Sequence, residues 1–368
     1  MKDIYAERLL AQIMGWDEAH VQAEQRRLQL LARYKYDEYQ RFRPGRRFIE
    51  SLALWLRQFR SKSEREAAYE FVINRLVFLS RQELTHLVQM TYPDIIVPEI
   101  IDHVSNTCGI PNHRMAEICR HDEFLKLQRR SLFLGLSDGA RTDELRRFNP
   151  VISNEQIWHA YELSKEKAAG MHKELNKSVK QQNQTFRLIW LLDDFSGSGR
   201  SYIRFDDDER CFKGKITKVY EKLLSDSEIA KIIDIEAYQV YVILYVATAK
   251  AKQHIEEFSK KFTKEKGFRE PIIKVVQCLE DAVSLSGSNP LDKAFLELVD
   301  KDEYYDPAAH DDNTKKGGTD DVKRGFANCA LPVALAHNTP NNSVYLLWGP
   351  EQLSTKGLFP RVTRHKEF

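Results

Sequence analysis

Two adjacent acids, followed by a loop of small residues, make up the segment of the chain best suited to chemistry. An apolar run over residues 186–192 leads into Asp193 and Asp194. The loop after them supplies the predicted cofactor-binding residues Ser196, Gly197, Ser198, Gly199, Arg200 and Ser201. Glycines let a backbone approach an anion closely, and successive N–H groups with nearby hydroxyls can enclose a phosphate. The segment therefore predicts a phosphate site, with Asp193 and Asp194 as catalytic residues that bind ribose hydroxyls or Mg²⁺.

The residues alone leave a structural interpretation of this loop open, because glycine-serine loops after a strand are common. The loop is not a Walker loop, since GxxxxGK[ST] is absent, and it does not fit a Rossmann fingerprint. Paired acids at the end of a buried strand favour a functional site, because buried charge is costly. If a helix begins near Ser201, its dipole would strengthen the attraction for an anion.

A second loop with a similar character ends an earlier apolar run over residues 131–136. Its predicted binding residues are Ser137, Asp138, Gly139, Ala140 and Arg141. Gly139 permits close approach of the backbone, and the guanidinium of Arg141 suits bidentate contact with phosphate oxygens. A simple strand-to-helix turn is the alternative interpretation of this segment.

The elements that would position both loops form an α/β pattern after about residue 130. Apolar runs predict strands over 131–136, 186–192, 238–247, 272–279 and 330–336. Intervening segments predict helices over 154–177, 215–224 and 250–262. Continuous apolar strands that alternate with helices are typical of a parallel sheet covered on both faces. Ligands of such sheets bind beyond the carboxyl ends of the strands, which is where both loops would lie.

The region before this pattern is predicted to be helical. Apolar residues recur at helical spacing over 48–59, and Ser63–Glu66 and Ser80–Glu83 have the spacing of capping boxes. We therefore predict an all-helical N-terminal domain over residues 1–125 and an α/β domain over 126–368. A winged-helix or helix-turn-helix unit that contacts DNA is one alternative for the first domain, and many other helical bundles fit the pattern equally well.

Composition narrows the classes of protein further. The formal net charge is only +2, from 56 basic and 54 acidic side chains, which does not announce a nucleic-acid or membrane partner. Five scattered cysteines without a CxxC pair predict free thiols in a reducing compartment. The longest apolar stretch, residues 240–249, is too short to cross a bilayer. The expected location is therefore cytoplasmic.

In its motifs the chain resembles the type I phosphoribosyltransferases. Ser198-Gly199-Arg200-Ser201 stands in register with Asp193-Asp194, as in the signature with which that family binds phosphoribosyl pyrophosphate (PRPP), although Gly197 stands where Thr is common. The resemblance implies a phosphoribosyltransferase-like fold with a sugar 5-phosphate on residues 196–201. It also implies ribose hydroxyls at both acids, Asp194 as the closer acid, and a departing pyrophosphate near residues 138–141 with Mg²⁺.

More narrowly, the chain resembles a bacterial phosphoribosyltransferase-like group linked to conflict and anti-phage defence. The late blocks Asn338–Asn342, Leu346–Trp348 and Gly357–Val362 belong to that resemblance. It implies a glycosyltransferase that acts on PRPP or a related nucleotide sugar, as a toxic effector. The alternative is a non-catalytic regulator that binds PRPP or a nucleotide and contacts a partner protein or DNA through its helical domain. A homodimer is a third open question, because the fold often dimerises but no sequence feature places an interface.

Overall fold

The computed structural model describes residues 3–42, 45–179, 183–225, 227–351 and 353–361. The chain forms two compact units, which we call the first unit (Met1–Leu84 with Asp281–Phe368) and the second unit (Thr85–Glu280). This division differs from the predicted boundary between residues 125 and 126, which falls inside the second unit. The reason is that the late part of the chain shares one hydrophobic core with the early helices.

The helices and strands are numbered in chain order. The helices are α1 (Asp3–Met14), α2 (Glu18–Tyr34), α3 (Phe48–Leu56), α4 (Lys62–Asn74), α5 (Arg81–Thr91), α6 (Val97–Cys108), α7 (Met115–Ile118), α8 (Asp122–Arg129), α9 (Thr142–Phe148), α10 (Lys165–Val179), α11 (Lys215–Leu223), α12 (Ala249–Lys266), α13 (Pro290–Val299) and α14 (Tyr345–Trp348). The strands are β1 (Val77–Leu79), β2 (Ser131–Gly135), β3 (Ile157–Trp158), β4 (Leu188–Ser196), β5 (Arg204–Asp206), β6 (Cys211–Lys213), β7 (Gln239–Thr248), β8 (Ile272–Leu279) and β9 (Val333–Leu335).

The second unit is built on a five-stranded sheet with the order β3-β2-β4-β7-β8, in which every neighbouring pair is parallel. Gly135, the last residue of β2, pairs with Leu192 of β4, and β4 continues beyond it to Ser196. Both faces of the sheet are covered, because the alternate side chains of β4 and β7 enter two separate hydrophobic cores. The predicted α/β fold with a parallel sheet is confirmed.

Two predicted elements of this region differ from the structure. The helix predicted over 154–177 begins only at Lys165, because Ile157 and Trp158 form β3 and pair with β2. Pairing with a neighbouring strand has overridden the local helical pattern there. The strand predicted over 330–336 is β9, and it pairs with β1 in the first unit rather than extending the central sheet.

The first unit confirms the helical character of the early chain. The predicted apolar face of residues 48–59 is buried, and Tyr39 donates its hydroxyl proton to the carbonyls of Phe359 and Pro360 at 3.0 and 2.8 Å. The capping box at Ser80 is present, with Glu83 N–H donating to its hydroxyl at 3.2 Å. The other box is formed by Ser61 and Glu64, two residues before the predicted pair, because α4 begins at Lys62.

The winged-helix alternative does not agree with the strand pairing of this unit. A wing requires an antiparallel hairpin, whereas β1 pairs in parallel with the distant β9. Across residues 3–42 and 45–84, β1 is also the only strand. The five cysteines are free thiols, as predicted. In the part of the chain that the structure describes, every helix is too short or too polar to cross a membrane.

Candidate functional site

The acid pair lies inside β4 rather than after it, because this strand runs on to Ser196. Successive side chains of a strand point to opposite faces of the sheet. Leu191 belongs to one hydrophobic core and Leu192 to the other. Asp193 therefore shares a face with Leu191, and Asp194 shares the opposite face with Leu192. The two carboxylates do not form a single chelating pair.

Asp193 is completely buried and fully hydrogen-bonded. Its Oδ1 accepts the hydroxyl proton of Ser137 and the N–H of Asp194 at 3.1 Å. Its Oδ2 accepts from the Tyr202 hydroxyl at 2.6 Å and from Lys215 Nζ at 2.5 Å. A carboxylate offers about four acceptor sites, so none remains for a metal or a ribose hydroxyl. The predicted catalytic and metal-binding roles of Asp193 do not agree with this geometry, and those of Asp194 stay predictions.

The network around Asp193 ties the two predicted loops to the start of α11. Burial raises the pKa of Asp193, and the charge of Lys215 opposes that rise. Burial also raises the pKa of Tyr202, so the phenol keeps its proton and can donate it. Gly214 has φ +147° and lies so close to Tyr202 that an added Cβ would come 2.2 Å from its carbonyl oxygen. The glycine lets α11 begin where Lys215 reaches the buried acid.

Asp194 is partly exposed and lies against the first loop. Its Oδ1 accepts the N–H of Phe195 at 2.8 Å. A Cβ added to Gly139 would come 2.3 Å from Asp194 Oδ2, so any other residue there would displace the carboxylate or the loop. The hydroxyl of Tyr245, on β7, donates to the carbonyl of Ala140 at 2.7 Å and so fixes the loop to the sheet. The structure therefore brings Gly139 of the first loop beside Asp194.

Arg141 ends the first loop in a left-handed conformation with φ +47°. Its Nη1 lies 2.9 Å from Glu144 Oε1, and Glu144 Oε2 accepts the hydroxyl proton of Thr85 at 3.0 Å. The Nε of Arg141 is buried, and none of the described residues accepts its proton. Asp138, at the tip of the loop, is exposed.

The second loop, residues 197–201, consists of bends and turns that pack on α12. The hydroxyl of Thr248 donates to the carbonyl of Gly197 at 2.8 Å. Gly199 has φ +75°, and a Cβ there would meet Ala251 O at 2.8 Å. The N–H of Gly199 donates to the Ser196 hydroxyl at 3.2 Å. Close packing against a helix is thus one reason for this glycine, whether or not an anion binds.

The expected helix near Ser201 is absent from the described chain. Ser201 is exposed, and the hairpin of β5 and β6 follows it before α11 begins at Lys215. The N–H of Arg200 donates to the Ser198 hydroxyl at 3.4 Å, so the loop holds its own shape. A helix dipole therefore does not explain anion binding at this loop.

Two residues that support the loops were not among the site residues predicted from the sequence. His254 of α12 shares a 2.9 Å hydrogen bond with the carbonyl of Ile203, and its ring lies against Gly199. Burial lowers the pKa of His254. Lys215 lies 22 residues after Asp193 in the sequence. No regular secondary structure has a repeat that would bring two residues with this separation together. No local signal marked either residue.

The donor set limits how Mg²⁺ would bind. Among the described residues, no group of three or more His, Cys, Asp or Glu side chains is arranged to hold a metal ion. Mg²⁺ is often held by one or two carboxylates together with phosphate oxygens of a ligand. Asp194 with a bound diphosphate fits that mode, whereas Asp193 does not.

A cavity of about 540 Å³ lies in the first unit and not at these loops. It is lined by Asp300, Gly318, Thr319, Asp320, Asp321, Lys323, Arg324 and Asn328. A smaller cavity in the second unit is bounded by residues 161–163 and Lys222 with the turn 227–229. Both differ from the site that the sequence predicts.

The late sequence blocks serve the interior of the first unit. Thr339 is fully buried and donates to the carbonyl of Phe359 at 2.8 Å. Asn342 donates to the carbonyl of Phe326 at 3.3 Å, and Trp348 donates to that of Ser343 at 2.8 Å. These contacts account for the residues structurally. Val362 of the last block lies outside the described residues.

Comparison with known proteins places the chain in a family. The family model described as PRTase-CE matches residues 52–361, a range that includes both loops and the whole central sheet. No curated protein and no solved structure matches the chain. Because the matched range covers most of the chain, the protein belongs to the PRTase-CE family and is phosphoribosyltransferase-like.

Proposed function

We propose that this phosphoribosyltransferase-like protein binds a phosphorylated pentose, as in PRPP or a nucleotide, at the carboxyl ends of β2 and β4. One observation carries the proposal. Asp193 connects the first loop to the residue directly after the second loop, because it accepts hydrogen bonds from Ser137 and Tyr202. Lys215 of α11 also bonds to it, and Asp194 is partly exposed beside Gly139. A parallel sheet binds its ligands at this edge. The buried acid thus builds the site, and the partly exposed Asp194 is proposed to meet the ligand on the other face of the sheet.

The proposed placement of the ligand follows the two loops. The 5-phosphate lies on Ser196, Gly197, Ser198, Gly199, Arg200 and Ser201. The diphosphate lies by the first loop, at Asp138, Gly139, Ala140 and Arg141. Asp194 then accepts hydrogen bonds from the ribose hydroxyls. Arginine suits the second position because its planar fork matches phosphate oxygens.

The proposed reaction is transfer of the phosphoribosyl group to an acceptor. The bond from C1 to the diphosphate oxygen breaks, its electron pair leaves with pyrophosphate, and the acceptor nitrogen or oxygen bonds to C1. Arg141 stabilises charge on the leaving group, and Asp194 balances the positive charge that develops on the sugar. Mg²⁺ bound with the diphosphate supplies further neutralisation of the leaving group. Asp194 also accepts the proton that an acceptor nitrogen loses.

Titration of the full chain with PRPP and Mg²⁺, followed by an assay for released pyrophosphate, tests this proposal. We expect Asp194→Asn to weaken PRPP binding by about tenfold or more and to remove turnover, because a charged acceptor is lost. Asp207→Asn is the matched control, since Asp207 is an exposed acid on the hairpin after the second loop. Equal binding and turnover by the two variants would refute the proposal.

A binding-only role is the second candidate, and the internal bonds of Asp193 and Arg141 favour it. Asp193 is satisfied by four donors, and Arg141 is paired with Glu144, so both loops keep their shape without a ligand. In that case the protein is a regulator that transmits occupancy to a partner protein or to DNA through its early helices. Calorimetric binding of PRPP or a nucleotide without release of pyrophosphate, for any acceptor base supplied, supports this role over transfer.

The role of a toxic effector in phage defence rests on the resemblance of the late sequence blocks. Uncontrolled turnover of PRPP would deplete nucleotide precursors and stop growth. Induced expression in a bacterial culture should therefore arrest growth for the wild type and not for Asp194→Asn at an equal protein level. Equal growth of both cultures contradicts the effector role and leaves ligand binding to be judged by calorimetry.

A further inference from the structure

Arg141 has two features that a simple strand-to-helix turn does not require. Its backbone is left-handed at φ +47°, a conformation that residues other than glycine rarely adopt. Its Nε is buried, and no acceptor for it exists among the described residues. An unmet buried donor is costly, and strained residues that persist often serve a function. The side chain is thus prepared for an acceptor that the chain itself does not supply.

Glu144 already occupies one side of this guanidinium. Its Oε1 lies 2.9 Å from Arg141 Nη1, and its Oε2 accepts the Thr85 hydroxyl proton at 3.0 Å. The Arg141 and Glu144 side chains are 13% and 29% exposed, so solvent screens this pair less than a surface pair. The carboxylate is therefore held at both oxygens, by α5 on one side and by Arg141 on the other.

The charges around Arg141 oppose the binding of a further anion beside Glu144. The hydroxyl of Tyr245, which holds the first loop, lies in the field of Asp193, Asp194, Glu144 and Arg141. Three of these four groups are carboxylates. An incoming phosphate would meet their repulsion unless a carboxylate gives up its place at the guanidinium.

We propose that Glu144 is an internal competitor for the anion that binds Arg141. A diphosphate binds only when the ion pair between Arg141 and Glu144 breaks, and the hydroxyl of Thr85 sets how readily Glu144 leaves. The inference rests on the proposed function and adds a regulatory device to it. Glu144 keeps the guanidinium from binding weak anions and lets an anion of higher charge replace it.

Calorimetric titration of the full chain with inorganic pyrophosphate and Mg²⁺ tests the competition. We expect Glu144→Gln to tighten binding by roughly fivefold to tenfold, because a partly buried competing charge is removed. Thr85→Val should tighten it by a smaller factor, about twofold or more, since it removes the hydroxyl that donates to the competing carboxylate. Arg141→Gln should weaken binding by about tenfold or more, since a charge-assisted contact is lost.

The double variant and a charge control separate competition from a general change in net charge. Adding Glu144→Gln to Arg141→Gln should give no gain, because the contested group is gone. Asp143→Asn removes the same charge from an exposed neighbour, 3.7 Å from Arg147, and should leave affinity unchanged. If Asp143→Asn tightens binding as much as Glu144→Gln does, the competition is refuted.

Other outcomes distinguish this inference from the proposed function. Unchanged or weaker binding by Glu144→Gln, with Arg141→Gln still weakened, overturns the competition alone. No binding of pyrophosphate or PRPP by the wild type or by Glu144→Gln overturns both. Thermal unfolding checks that each variant folds, and if Glu144→Gln does not, unchanged affinity of Thr85→Val would overturn the competition.

Discussion

The two adjacent aspartates on opposite faces of β4 differ in burial and in hydrogen bonding. Asp193 is fully buried, and donors from the first loop, from its own strand, from Tyr202 and from Lys215 surround it. Asp194 is partly exposed and lies against the Cα of Gly139. The contrast shows that two acids adjacent in sequence can have different environments, one satisfied inside the fold and the other partly exposed at the first loop.

This division has an energetic basis. A buried charge is tolerable only when partners satisfy it, and the partners of Asp193 come from segments that must stay together for the site to exist. A residue with that role cannot also exchange its partners for a ligand at low cost. Asp194 differs in being partly exposed, so solvent reaches its carboxylate.

The largest expected effect is on folding, through Asp193. We expect Asp193→Ala to lower the free energy of unfolding by about 3–5 kcal/mol, because Lys215 and the Tyr202 hydroxyl lose their buried acceptor. Asp194→Ala is the matched variant and should cost less than about 1 kcal/mol. Urea unfolding of both variants gives the comparison directly. Similar losses for the two would mean that the faces of β4 do not differ in the way proposed.

The sequence was sufficient to locate the two acids but not to predict that they lie on opposite faces of β4. The apolar run ended at Leu192, and hydropathy alone placed the end of the strand there. In the structure the ladder continues to Ser196, which pairs with Ala247 of β7. The continued pairing sets the alternation that separates the two acids, and it depends on a strand some 50 residues later. Local sequence does not contain that information.

The same limit explains the other differences. The central strands could be predicted because their buried runs are long and apolar, whereas β3 has two residues and exists only through pairing with β2. The partner of β9 could not be predicted, since β1 lies more than 250 residues earlier. Lys215 has an ordinary charged pattern, and only the close approach of Gly214 to Tyr202 brings it to the acid.

A second prediction tests the contact between Asp194 and Gly139. Gly139→Ala places a methyl group 2.3 Å from the present position of Asp194 Oδ2, so the carboxylate or the loop must shift. We expect a loss of about 1 kcal/mol in stability and about tenfold in PRPP affinity, because overpacking displaces the acid that faces the ligand. Gly170→Ala is the control, since an added methyl there has room and lies in α10. It should be neutral or stabilising.

The smallest expected effect is a dependence on pH. Burial raises the pKa of Asp193 above its ordinary 3.8, with Lys215 opposing the rise, so the folded state holds this proton more tightly than the unfolded chain. The contribution of Asp193 to stability is therefore greatest below pH 3.8 and is lost as the pH rises through its folded pKa, by at most about 1.4 kcal/mol per pH unit. The unfolding free energy of the wild type minus that of Asp193→Asn should thus fall with rising pH. Asp206 should show the opposite pH dependence of stability. The hydrogen bond from Lys213 lowers the pKa of Asp206, so its contribution to stability is lost as the pH falls. A difference for Asp193 that instead rises with pH would show that Lys215 outweighs burial, and the acid would then resemble an ordinary paired carboxylate.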